Sequence, residues 1–130
     1  MNHAALNQYK TVGLQGGMMD ATPHQMITML LDGFIDRVAA AKGAIARGEV
    51  GRKGELIGSA IAIIDGLRAS LDFERGGEIS ANLASLYDYI ERRLVQAGAD
   101  SDATILDEVT TLISEVKSGW ESIPDNLRKV

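Results

Sequence analysis

Residues 76–94 read GGEISANLASLYDYIERRL. A Gly-Gly break opens the stretch, and Ile79, Leu83, Leu86, Ile90 and Leu94 then recur at spacings of four, three, four and four. That rhythm puts them on one stripe of a 3.6-residue helix, with Glu78, Asn82, Ser85, Asp88 and Arg92 on the polar faces. Tyr87 and Tyr89 lie near the stripe, and their hydroxyls require a wet or hydrogen-bonded end. No catalytic group sits here. The stretch is a packing surface with a polar rim, and it predicts a helix that needs other helices to cover it.

The same period continues on both sides. Upstream, Thr22, Pro23 and Gln25 form an N-cap, a first-turn proline and a capping box. Ile27, Leu30, Leu31, Phe34, Val38, Ala41 and Ile45 follow as a buried stripe that fades at Arg47–Gly48. Gly51 to Gly54 are expected to form a short polar connection. A second helix then runs to about Leu71 on Ile57, Ala60, Ile61, Ile64, Leu67 and Leu71, with Leu56 and Ile63 about a quarter turn off the stripe. Gly76–Gly77 ends that segment. The third helix is expected to stop near Gln96, where Gly98 and the AGADSD loop interrupt it and Ser101 or Asp102 caps the next. The fourth carries Leu106, Val109, Ile113, Val116, Trp120 and Ile123, widened by Ile105 and Leu112, and Pro124 closes it.

Four helices joined by short loops make antiparallel neighbours, so the expected fold is all-α, an up-down-up-down four-helix bundle. The bundle spans residues 21–124, with a frayed tail at 125–130. Residues 1–20 form an N-terminal arm, mobile or with a short helix around Ala4–Lys10. The arm carries Leu6, Tyr9, Val12, Leu14, Met18 and Met19, so it either docks on its own domain or helps to hold a partner.

Composition narrows the function. The chain has 130 residues, 45% of them apolar, which supports one domain with its own core. Net charge is −5 and no basic stripe is present, so nucleic acid and anionic membrane surfaces are disfavoured partners. Without cysteine there are no disulfides or thiolate metal sites. The first ten residues lack the pattern of a secretory signal, and the longest apolar run, Ala60–Ile64, is too short to span a bilayer. A cytoplasmic protein is expected.

No constellation of catalytic residues emerges. Neither His3 nor His24 has a glutamate three residues before it, as a di-iron bundle would need, so no metal and no cofactor are expected. Phosphotransfer would use an exposed histidine in mid-helix, whereas His24 lies at a helix start and is expected to be a surface residue. Asp32/Asp36 and Asp107/Glu108 read as solvated carboxylates. Gly33, Gly43, Gly58, Gly66 and Gly119 fall inside helices at a cost of roughly 0.5–1 kcal/mol each relative to alanine. They suggest a loose bundle that gains its final stability from a bound helix.

The chain resembles the bacterial flagellar secretion chaperones that bind flagellin. The resemblance runs from Tyr9 to about Ile123 and rests on Tyr9 in the arm, TPHQMITMLLDG at 22–33, AIAIIDGLRASLD at 60–72, residues 76–94 and Trp120. Leu31 stands where the family often has an aromatic, Gly98–Ala99 replaces its usual helix end, and the tail after Ile123 is short. The resemblance implies a cytosolic chaperone, not an enzyme. It would bind the disordered C-terminal segment of flagellin, prevent premature polymerisation and present the subunit to the flagellar type III export gate. Leu6 and Tyr9 match the family's N-terminal apolar positions, implicated in covering or completing the client groove. From spacing alone, Leu56, Ile63, Tyr87, Ile105 and Leu112 are each either client contacts or ordinary core, and Met26 and Met29 suit both roles. Weak self-association is a further expectation. The rival reading is a helical adaptor or regulator without a flagellin client.

Overall fold

The computed structural model describes residues 21–123. Four helices follow one another: α1 at Pro23–Ala46, α2 at Val50–Ala69, α3 at Phe73–Asp100 and α4 at Ala103–Glu121. Each packs along its sequence neighbours, and α4 closes the ring against α1. This is the expected up-down-up-down bundle, with no strand among the described residues.

The start of α1 forms as its sequence dictates. The Thr22 hydroxyl accepts from the Gln25 N–H at 3.1 Å, and the Gln25 side chain accepts from the Thr22 N–H at 2.8 Å. Two orphan donors of the first turn are thereby satisfied. At the other end Gly48 takes φ +69°, a left-handed turn that glycine adopts without strain.

Three boundaries differ from expectation. Gly51 to Gly54 do not connect helices; they lie in the first turns of α2, and the connection shrinks to Arg47–Glu49 around Gly48. Helix α3 runs through Gly98 to Asp100 because Ala97 is still buried and Gly98 packs on Ile57. It ends on Ser101 in the left-handed conformation, and Asp102 caps α4 through the Thr104 N–H. Finally, α2 stops at Ala69, before Gly76–Gly77. Asp72 caps a short helical turn from Phe73, and Gly77, at φ +48° and ψ −120°, breaks the helical path inside α3.

The core joins Leu30, Leu31, Phe34 and Val38 of α1 to Ile63, Ile64 and Leu67 of α2, Ile90 and Leu94 of α3, and Leu106 and Ile113 of α4. Burying each of the larger side chains contributes about 1.5–3 kcal/mol. Between α2 and α3, Arg68 bridges Asp65 at 3.1 Å and both Asp88 and Glu91 at 2.7 Å. Between α3 and α4, Glu108 accepts from the Tyr89 hydroxyl at 2.6 Å and from Arg93 at 2.8 Å. Lys42 pairs with Asp107 across α1 and α4.

Candidate functional site: an apolar groove at one end of the bundle

The stripes do not all end in the core. At the end of the bundle where α1 and α3 begin and α2 and α4 finish, the apolar rows run on beyond the sealed core, and among the described residues no further element packs over them. They enclose a groove of about 620 Å³. Ile27 and Leu31 of α1 contribute one wall, and Leu67 with Leu71 at the end of α2 the next. Helix α3 supplies Ile79, Leu83 and Tyr87, and α4 supplies Val116, Gly119, Trp120 and Ile123. Polar groups are confined to a few positions, chiefly Asp72, Arg75, Ser70, Ser80 and Glu115.

Ile79 shows the difference from the sequence reading most clearly. It opens the stripe expected to be buried, yet it is 71% exposed, and Phe73 beside the helix break is 56% exposed. Leu83 is only half-buried, whereas Ile90 and Leu94 further along are sealed in the core. The stripe is continuous in sequence but splits in space between core and groove.

Of the expected contact residues, Tyr87 lines the groove, where burial pushes its phenol up to about 12 and keeps the hydroxyl protonated. Leu56, Ile63 and Ile105 lie inside the core; Ile63 has no exposed surface to offer a partner. Leu112 is half-buried against that core, as are Met26 and Met29. None of these six lines the groove. Leu6 and Tyr9 lie outside the described residues.

Sequence reasoning missed the groove role of Ile79, Leu83, Leu71, Val116, Trp120 and Ile123, all assigned to buried stripes. The available signal was positional: in an antiparallel bundle these residues fall at the same end. His24 was also misjudged. It is 7% exposed, not a surface residue, because its ring stacks on Trp120 and its Nε2 donates to the Trp120 carbonyl at 3.0 Å. The exposed imidazole that phosphotransfer would need is therefore not offered by His24.

Among the described residues no group of three or more His, Asp or Glu side chains is assembled that could hold a metal ion. No described helix is long and apolar enough to cross a membrane. An open apolar groove with a sparse polar rim is suited to taking the apolar face of an amphipathic helix. By architecture, the molecule is an all-α four-helix bundle with an apolar groove at one end.

Comparison with known proteins specifies the class. The family described as flagellar protein FliS matches residues 5–127, and the chain belongs to that family. It is 49% identical to the flagellar secretion chaperone FliSB of Pseudomonas aeruginosa over 92% of this chain and 94% of that one. The flagellar secretion chaperone FliS of Salmonella typhimurium is 43% identical over 92% of this chain and 90% of its own. The corresponding FliS of Bacillus subtilis is 33% identical over 97% and 92%.

Proposed function

We propose that the protein is a cytosolic flagellar secretion chaperone whose client is the disordered C-terminal segment of flagellin. In this reading the segment folds as it binds, laying the apolar face of a helix into the end groove and covering surface that would otherwise drive polymerisation. The complex is then presented to the flagellar type III export gate. The carrying observation is the groove itself: apolar rows from all four helices that the described residues leave uncovered at one end, in a chain related over nearly its full length to flagellar secretion chaperones. Sequestration of this kind works by occupancy and needs no nucleotide. Ordering a disordered client consumes a few kcal/mol of the interaction energy, which keeps the complex reversible. Tyr87 would contact the client from the groove wall, and Leu6 and Tyr9 would complete the contact from the arm.

The test is calorimetric titration with flagellin, intact and lacking its C-terminal helix. One-to-one binding that disappears on truncation is the expected result. Failure to bind intact flagellin would sink the proposal in favour of an adaptor with another client.

A further inference from the structure

The first turn of α1 and the last turn of α4 are clasped at three points by two side chains 96 positions apart. The His24 imidazole and Trp120 indole stack with centroids 4.6 Å apart and planes 9° from parallel. His24 Nε2–H donates to the Trp120 carbonyl at 3.0 Å, and Trp120 Nε1–H donates to the His24 carbonyl at 3.1 Å. Trp120 is half-buried and lines the groove; His24 is buried and does not.

An indole on the last turn of a helix has two rotatable bonds and, without a neighbour, several accessible rotamers. Here one face is occupied by the imidazole and the N–H is tied to α1. The wall that α4 offers to the groove therefore depends on a residue outside the groove. We infer that His24 is a positioning residue for the client site: it holds Trp120 as part of the groove wall, and client affinity depends on it without direct contact. The inference rests on the groove being the client site.

A brace that only stabilised the fold would behave differently, and Trp120 separates the two because it is the only tryptophan in the chain. Its emission reports one indole. Substitutions at His24 also divide the clasp cleanly. Any residue there keeps the backbone carbonyl that receives the indole N–H; phenylalanine keeps a stacking ring without the Nε2 donor, and glutamine keeps a donor without the ring.

The experiment compares wild type, His24→Ala, His24→Phe and His24→Gln in the full chain. It measures Trp120 emission and acrylamide quenching of the free protein, thermal midpoint, and affinity for a flagellin C-terminal segment. His24→Ala is expected to red-shift the emission, increase quenching and weaken binding by about tenfold, the range for a misplaced interface aromatic. His24→Phe should recover most of both. Unchanged emission and affinity in folded His24→Ala would overturn the inference. So would a fall in affinity with unchanged emission, which would make His24 a direct contact, or a fall in thermal midpoint alone, which would make it a brace. If His24→Ala does not fold, the Phe and Gln variants carry the same comparison. Failure of the wild type to bind flagellin would count against the client assignment, while the emission measurements, made without client, still decide whether His24 positions the indole.

Discussion

Ser80 donates its hydroxyl to the Asp72 carbonyl at 3.0 Å, bridging the break that Gly77 makes in α3. The same carbonyl accepts from the Gly76 N–H at 2.8 Å, so one oxygen ties both sides of the break together. The short turn from Phe73 to Gly76 is thereby fixed beside the groove, with Asp72, Arg75 and Gly76 on its lining.

The close approach at this joint predicts non-additivity. A Cβ on Gly76 would collide with the Ser80 hydroxyl, so Gly76→Ala should destabilise by about 1–3 kcal/mol. Ser80→Ala removes one part-buried hydrogen bond and should lose about 1 kcal/mol. The double variant should lose less than the sum, because the colliding oxygen is gone. Urea unfolding of the three variants measures this; strict additivity would show that the joint relaxes without reference to Ser80.

Ile79 offers a clean separation of folding from binding. At 71% exposure it contributes little to the core, so Ile79→Asp should shift the folded protein's stability by no more than about 0.5 kcal/mol. A carboxylate on the groove wall should nonetheless weaken flagellin binding by tenfold or more, since it would be desolvated by the client's apolar face. Calorimetry beside a thermal melt checks both halves.

Gly58 lies on the exposed side of α2, and a Cβ there meets nothing within 4 Å. Gly58→Ala should therefore stabilise the protein by about 0.5–1 kcal/mol. If the thermal midpoint rises and flagellin affinity is unchanged, looseness at this position plays no part in client binding.

Two carboxylates should respond to acid in opposite senses. Asp65 is held above the usual carboxylate range by its partial burial and then by the neighbouring Glu91, with Arg68 opposing. Its ionised form is disfavoured in the fold, so its contribution is fully favourable below the unfolded value and is lost as pH rises through the folded one. Asp65→Asn should thus compare best with wild type near neutrality and lose ground as pH falls. Glu108 is held low by the Tyr89 hydroxyl and then by Arg93. Its stabilisation is present above the unfolded value and disappears on acidification, so Glu108→Gln should cost stability at neutral pH and little in acid. Thermal midpoints from neutral pH down through the carboxylate range give both curves.

How much was readable from sequence alone follows the distance over which each feature is decided. The helices were legible because a 3.6-residue stripe and the Thr22–Gln25 box are local. Gly51 and Gly54 misled because glycine near a helix start is compatible with both the first turns and a loop, and only the packing of Leu56 and Ile57 selects the helix. The groove was not legible, since Ile79 and Ile90 obey one periodicity whether or not a neighbour covers them. His24 looked like a surface residue for a similar reason: its partner is Trp120, and local pattern carries no signal across that separation. Leu56, Ile63 and Ile105, noted for lying off the stripes, widen the buried face, as expected where a helix in a bundle touches two neighbours.

The antiparallel order also has a practical side. The described chain enters at Ala21 and leaves at Ile123, both at the end that carries the groove, while the loops at Arg47–Glu49 and Ser101–Asp102 lie at the far end. A label or surface linkage attached at Ala21 or Ile123 would therefore crowd the mouth of the groove. A cysteine in place of Val50, 70% exposed at the far end of a chain with no other thiol, would anchor or label the molecule with its groove facing outward.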